Sequence, residues 1–439
     1  MRTHVGAASR SLARAGKTSS VASAHRLAGL RSILILTQVF PPELHPTAVM
    51  VRELAEHLAV RGWRVTVGAG FPHHPHGRIL PGYSRRPFLR ERLGDIDVVR
   101  AWHLVSPTRS VVRRGAAYAT QALATALAGT LSCRPDVVLV IGPPLVGPAL
   151  GWCVARAHGA KLVNVIYDIY PDIAVETGAI TRPSLIAAAR AAERFQYWAA
   201  DRTIVLSDGF RRTLRDKGVP ERKLAVVPVW LDPDEIQPAP RDNAWRREND
   251  IPLDATVVLY AGTIGLVSGA TVVADAARLL QHRRDILLLL VGEGAARDAV
   301  GARARAYGLT NMRLLPLQPR ARLREVQATA DIGLVTLAAG RGRTSVPSKV
   351  LGYMAAGRPV LAAVDADSDT AMQVVSGGAG VACAPDNPEA LAAAAVRLVD
   401  DAAGRARMGA AARATFLQHF ARGAVLDRYA QLLEEVVRG

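Results

Sequence analysis

The sequence predicts an α/β protein: two doubly wound, parallel-sheet domains facing each other across a cleft, with a last helix that crosses back to the first domain. Three observations predict it. Short apolar runs alternate with amphipathic stretches of helical period along nearly the whole chain, the pattern of strand–helix–strand crossovers onto parallel sheets. That alternation breaks once, in the Pro- and Asp-rich stretch 228–240, and then restarts. A chain of 439 residues also exceeds one ordinary domain.

The elements follow in order. Residues 1–30 lack acids and are rich in Ala, Ser and Arg, without a secretory-type apolar core, and read as a disordered leader. Ser32-Ile-Leu-Ile-Leu-Thr37 is a buried first strand; a Pro-containing loop and an amphipathic helix over 47–60 follow. Further strands are expected at 64–67, 97–102, 136–141, 161–166 and 202–206. These make a first domain of 31–228, joined by a linker of 229–240 to a second domain of 241–420. The second domain's strands fall at 256–261, 285–291, 312–316, 332–335, 359–364 and 380–383. A tail helix occupies 421–439. In such a layout ligands sit at the carboxyl ends of the strands.

Half of the residues are hydrophobic and 5% aromatic, so the core is Ala, Val and Leu. Cys133, Cys153 and Cys383 have no paired spacing, which fits a reducing cytoplasm rather than a disulfide framework. The net charge of +17 is uneven: residues 1–200 hold 24 Lys/Arg against 11 Asp/Glu, the remainder 31 against 27. A basic half without zinc-finger spacing or nucleic-acid-stacking aromatics points to an anionic membrane surface and not to nucleic acid. The charge-free stretch 115–133, built on Ala and Thr with few Leu, is expected to be a buried or membrane-facing surface helix.

One run carries the most chemistry: Val346-Pro-Ser-Lys-Val-Leu-Gly-Tyr-Met-Ala-Ala-Gly-Arg-Pro-Val360. Ser348 and Lys349 stand where its helix begins. Free backbone N–H groups and the dipole's positive end, joined by a hydroxyl and an ammonium, make a phosphate cradle. A capped core helix has the same local pattern. His73, His74 and His76 suggest a metal cluster at first sight. Adjacent histidines with a third after Pro converge poorly, so loop structure or substrate contact is the expectation, with no metal.

The chain resembles the retaining family 4 glycosyltransferases of GT-B architecture, closest to the branch that builds bacterial surface polysaccharides such as O antigen and colanic acid. The marks are Phe40-Pro-Pro-Glu43, Phe71-Pro-His-His-Pro-His-Gly77, Gly82-Tyr83, Gly142-Pro-Pro144, Tyr167-Asp-Ile-Tyr-Pro-Asp172 with Thr177-Gly178, Tyr260-Ala-Gly-Thr-Ile-Gly265, Val291-Gly-Glu-Gly294, Leu315-Pro-Leu-Gln-Pro319 and the run through Gly357. The resemblance covers about 32–435. It implies transfer of a sugar from a nucleotide diphosphate donor, commonly a UDP-sugar, to a polyprenyl-diphosphate-linked glycan at the cytoplasmic leaflet, with retained configuration and no metal or other cofactor.

It also distributes roles. Gly262, Thr263 and Gly265 would approach the diphosphate with bare backbone, and Ser348 and Lys349 would meet it from the other side. Glu293 and Gly294 would wall the nucleoside pocket, with Leu317 and Gln318 against the base. Asp168 is a candidate to accept the acceptor's proton or orient a donor hydroxyl. Glu43 is a candidate base or acceptor contact, and His73, His74 and Asp172 are candidate acceptor contacts. Asp168 and Asp172 also suit capping of the helix after Pro171.

The sequence departs from the wider family. Thr263 and Ser268 stand where Arg and Lys are common, and Thr344 and Gly352 where two Glu are common. Lys349 and Arg343 are the candidates to replace that positive charge. A catalytically silent scaffold in a polysaccharide complex is the alternative. A Rossmann oxidoreductase is disfavoured, because Thr37-Gln-Val-Phe-Pro-Pro42 lacks a glycine fingerprint after the first strand.

Overall fold

The computed structural model describes residues 31–439 apart from Leu44, 75–76, 84–85, 106–110, 132–133, 143–144, Thr177 and 343–346, and apart from the side chains of Val111, Val112 and Arg114. The leader, His76, Cys133, Arg343, Thr344 and the prolines of Gly142-Pro-Pro144 therefore lie outside the described residues. Two compact units divide the chain: one holds residues up to Ile166, 170–203 and 430–439, the other 167–169 and 204–429.

The first part of the chain builds an eight-stranded sheet in the order β3-β4-β2-β1-β5-β6-β7-β8. Its strands are β1 Ser32–Thr37, β2 Arg64–Gly70, β3 Phe88–Leu93, β4 Ile96–Ala101, β5 Val137–Ile141, β6 Lys161–Ile166, β7 Arg202–Val205 and β8 Leu224–Val226. The helices between them are α1 Pro46–Val60, α2 Val111–Thr130, α3 Val146–His158, α4 Asp172–Glu176, α5 Pro183–Ala199 and α6 Asp208–Asp216. β1 is buried along its whole length, as a central parallel strand covered on both faces must be.

β3 is an addition to the expected set. It pairs antiparallel with β4 at the sheet edge, Phe88 opposite Ala101 and Leu93 opposite Ile96. Its sequence, FLRERL, is charged and mostly exposed, so it has no apolar run to announce it. The three-residue edge strand β8 is too short to give a signal.

The second sheet has six parallel strands in the order β11-β10-β9-β12-β13-β14. They are β9 Thr256–Ala261, β10 Ile286–Val291, β11 Met312–Leu315, β12 Ile332–Thr336, β13 Val360–Ala363 and β14 Gly380–Cys383. Helices α7 Ala244–Glu248, α8 Thr271–Leu279, α9 Arg297–Ala306, α10 Leu323–Thr329, α11 Lys349–Ala355, α12 Asp369–Ser376, α13 Pro388–Asp400 and α14 Ala402–His419 accompany them. Successive strand residues fall into two apolar clusters: Val257, Leu259 and Ala261 in one, Val258 and Tyr260 in the other. That period of two over a fully buried strand is a sheet covered on both faces.

The last helix, α15 Arg422–Arg438, has its first residues in the second unit and residues from 430 on in the first. Arg422 pairs with Asp232 at 2.8 Å, and Glu434 pairs with Arg31 at 3.2 Å. The expected return of the C-terminal helix to the first domain is thus present. Both sheets are Rossmann-like.

Candidate active site

The donor-side residues are assembled by strand register. Val291 on β10 lies level with Ala261 on β9 and with Leu315 on β11. The loops after the three strands therefore start side by side. Gly262 N–H donates to Val291 O at 2.9 Å and Gly292 N–H to Leu315 O at 3.1 Å. The first two loops are in backbone contact: a Cβ on Gly292 would lie 1.9 Å from Gly262 O, and one on Gly294 would lie 2.4 Å from Ile264 O. Gly262 and Gly294 also hold φ of +133° and +150°, a region that only glycine enters without strain. The two glycine runs form one folded unit.

α11 is aimed at this unit by Tyr353. Its ring lies against Gly333, where a Cβ would come within 2.2 Å. Its hydroxyl donates to Leu334 O at 3.2 Å and accepts from Ala261 N–H at 2.7 Å. Lys349 is one helical turn earlier, on the same face. It is carried to the end of β9, with Nζ 3.5 Å from the centroid of the Tyr260 ring. A Cβ on Gly262 would lie 3.4 Å from Lys349 Cε and 3.9 Å from Nζ. No described carboxylate pairs with this ammonium, and burial lowers its pKa to about 7. Below Lys349, the Tyr260 hydroxyl donates to Thr263 O at 2.7 Å, so the aromatic platform and the glycine turn are tied together.

The remaining donor-side candidates are placed less closely. Ser348 is exposed at the N-cap of α11, and its hydroxyl makes no capping bond. Thr263 and Gly265 line the turn, where Gly265 O accepts from Ser268 N–H at 3.1 Å. The Glu293 backbone accepts from Ile264 N–H at 2.9 Å, while its side chain points to solvent and pairs with Arg297 at 3.4 Å. Leu317 is exposed. Gln318, expected against a base, has its Oε1 occupied by Trp245 Nε1–H at 2.9 Å.

Gly352 is buried, and a Cβ there would already meet Gln327 Nε2 at 3.0 Å, so a carboxylate side chain would enter only by displacing Gln327. Ser268, at the other departure, is buried, and its carbonyl accepts from Thr336 Oγ1 at 2.6 Å. Asp168, in the same unit, follows β6 at its carboxyl end. It is accessible to solvent, yet partial desolvation raises its pKa.

The other candidates gather around Glu43 in the first unit. Glu43 is buried, and its carboxylate is enclosed by backbone donors: Oε2 accepts from Phe40 N–H at 3.2 Å, Oε1 from His73 N–H and His74 N–H at 3.0 Å each. It ties the loop after β1 to the loop after β2, and this places His73 and His74. The rings stack edge to face in two pairs, His45 with His74 at 5.0 Å and His73 with His103 at 4.9 Å. Burial, then the neighbouring His73, lowers His103 to about 4. Burial, then His74, lowers His45. Asp172 is the first residue of α4, separate from this cluster and placed to favour that helix's positive end.

His45, His103, Tyr260 and Tyr353 are the residues that sequence reasoning did not assign. The tyrosines stand inside the recognised motifs. His103 carries no local signal, since only the fold buries it beside His73, while half-buried His45 reads locally as the N-cap of α1.

Residues 47–230 match the Glycosyl transferase 4-like domain, and residues 241–415 match Glycosyl transferases group 1. The chain belongs to the family 4 glycosyltransferases. The chain is 26% identical to the putative colanic acid biosynthesis glycosyl transferase WcaI of Escherichia coli over 82% of its own length and 90% of that protein. It is 26% identical to the probable glycosyltransferase WbjE of Pseudomonas aeruginosa over 68% of its length and 74% of that protein. Its fold matches that of Anabaena Alr3699/HepE, solved in complex with UDP, with a TM-score of 0.69 at 16% identity, covering 92% of this chain and all of that one. The two sheets are thus those of a GT-B glycosyltransferase, and the protein is an enzyme. Among its described residues, no helix is long and apolar enough to cross a membrane.

Proposed function

We propose that this glycosyltransferase moves a sugar from a UDP-sugar to a polyprenyl-diphosphate-linked glycan, with retention, in the assembly of a surface polysaccharide. The observation that carries the donor half is the Lys349 ammonium held over Tyr260 beside the bare backbone of Gly262. A cation that no described carboxylate pairs, next to a glycine turn, suits a departing diphosphate. It also supplies the charge that Thr263 and Ser268 do not. The UDP bound by the Anabaena protein and the polysaccharide named for the Escherichia coli relative support the same assignment.

In the proposed reaction the bond from the sugar C1 to the diphosphate breaks and a bond from C1 to the acceptor oxygen forms on the same face. Lys349, Ser348 and the N–H groups of Thr263 and Gly265 take the diphosphate charge, with Gly262 offering bare backbone beside them, so no metal or other cofactor is invoked. Asp168, its pKa raised by desolvation, takes the hydroxyl proton or orients a donor hydroxyl. Glu293, Gly294 and Leu317 border the nucleoside. Glu43 acts as a positioning residue for His73 and His74, which with Asp172 contact the acceptor. The basic N-terminal half holds the enzyme at the anionic inner leaflet, where such an acceptor resides.

The test is a thermal-shift and calorimetric screen with UDP, GDP, dTDP and ADP and their sugars. The cognate nucleotide at a hundredfold excess over its Kd raises stability by about 2.7 kcal/mol. If none of them shifts the melt, the donor assignment fails.

A further inference from the structure

The proposed membrane association rests on net charge, and the fold says where it is built. The steps β4 to β5, β5 to β6 and β6 to β7 run one way along the sheet order, whereas β1 to β2 runs the other way. Right-handed crossovers therefore place α2, α3 and α5 on one face of the sheet and α1 on the opposite face. The outward side of this three-helix layer is unusual for a surface. On α2, Leu123 and Leu127 are 49% and 50% exposed, and Leu131 just beyond the helix is 74% exposed. They recur every four residues, as one outward stripe. The opposite side of α2 is occupied by buried Ala122, Thr125 and Ala126, so the stripe is the helix's solvent side.

On the neighbouring helices an aromatic cluster continues the surface. Trp152 on α3 lies 5.6 Å from Phe195 and 6.1 Å from Trp198 on α5, measured between rings, and Trp198 is 64% exposed. A cavity of about 260 Å³ opens beside Trp152, lined also by Arg156, Lys161 and Asp201.

Charge selects the occupant. α2 and α3 contain no acidic residue. The one acid of α5, Glu193, is buried and accepts from the Tyr197 hydroxyl at 3.2 Å. Arg113, Arg156, Arg190 and Arg194 are exposed on the same helices. An apolar stripe and indoles on helices that expose arginines and no carboxylate, with the nearby Asp201 paired to Lys161 at 3.7 Å, match the headgroup boundary of an anionic bilayer. A protein partner would more often meet a mixed-charge rim.

We propose that the outward face of α2, α3 and α5 is the surface by which this enzyme lies on an anionic bilayer. Leu123, Leu127, Leu131 and Trp198 enter the headgroup boundary, and the arginines pair with lipid phosphate. The proposal rests on the membrane part of the function above and is independent of the donor site.

The experiment is co-sedimentation of the full chain with phosphatidylglycerol–phosphatidylcholine vesicles and with pure phosphatidylcholine vesicles. Wild type is compared with Leu123→Asn/Leu127→Asn and Arg190→Gln/Arg194→Gln, with UDP affinity and Tm measured in parallel. Wild type binds the anionic vesicles at least tenfold more tightly than the neutral ones. Each double variant loses at least tenfold of that binding while Tm is unchanged and UDP affinity stays within twofold of wild type. Wild type that ignores both vesicles overturns the membrane part of the function itself. Wild type that binds while both variants bind equally well overturns this face. A wild-type dimer that Leu123→Asn/Leu127→Asn converts to monomer assigns the face to a second copy and overturns the bilayer as its occupant.

Discussion

Lys349 holds its ammonium 3.5 Å from the centre of the Tyr260 ring. The two residues belong to different elements, α11 and β9, and Tyr353 is what brings them together, by bonding to Ala261 N–H and Leu334 O. The cation has an aromatic face below it and, among the described residues, no carboxylate paired with it. Burial lowers its pKa to about 7.

This arrangement makes donor binding pH-dependent. With a pKa lowered to about 7 by burial, Lys349 is charged below that pH in the free enzyme and neutral above it. A bound diphosphate favours the ammonium, so binding draws in a proton above pH 7 and not below it. Affinity for UDP-glucose, whose diphosphate does not titrate here, is expected to fall as pH rises from 7 to 9. Calorimetry at pH 8 in two buffers of different ionisation enthalpy should report proton uptake, and Lys349→Ala should abolish it. The same substitution is expected to weaken donor binding roughly tenfold or more, the range of a hydrogen bond to a charged group.

Glu43→Ala separates support from chemistry. It leaves the N–H groups of Phe40, His73 and His74 without their acceptor, at about 1–3 kcal/mol for each buried group left unsatisfied. Tm should drop and the acceptor KM should rise, with donor affinity unchanged. A loss confined to kcat, with Tm and KM intact, would instead show Glu43 acting as the base.

His103 makes the first unit sensitive to acid. Its pKa in the fold is about 4, against about 6.5 in an unfolded chain. Between those values the unfolded state binds more protons, so stability falls as pH drops from 6.5 towards 4 and is unaffected by this group above about 7.5. The full contribution is about 3 kcal/mol. Urea melts of wild type and His103→Gln across pH 4–7.5 check it: the variant should show the shallower slope.

Gly352→Glu tests whether the absent acid is a simple loss. The new Cβ would press on Gln327 Nε2 at 3.0 Å, and the rest of the side chain would have to displace it. Overpacking of this kind costs about 1–3 kcal/mol, so Tm should fall with no gain in donor affinity. A tighter UDP complex at unchanged Tm would show that the position still faces the nucleotide.

Much of this was legible in advance, for reasons particular to each element. The central strands are continuous apolar runs because both faces of a parallel sheet are covered. β3 was not legible, because an antiparallel edge strand of sequence FLRERL buries little. The glycine turns at 262 and 292–294 could be read because bare backbone is a property of residue type. The tie from Glu43 to His73 and His74 could not, since a carboxylate in a loop looks the same whether it faces substrate or backbone amides.

By itself, the sequence determined two Rossmann-like sheets, the glycine-rich turns, the order of the motifs and a lysine at the start of a short helix. These follow from local rules: periodicity, glycine's access to positive φ and the residues that begin helices. Only the tertiary structure decided that Lys349 rests on Tyr260, that a side chain at Gly352 would press on Gln327, and that Leu123, Leu127 and Trp198 are exposed on helices that turn no acid to solvent. Each of these depends on strand register, crossover handedness and burial. Such relations hold between residues far apart in the chain, and residue type and local spacing do not record them.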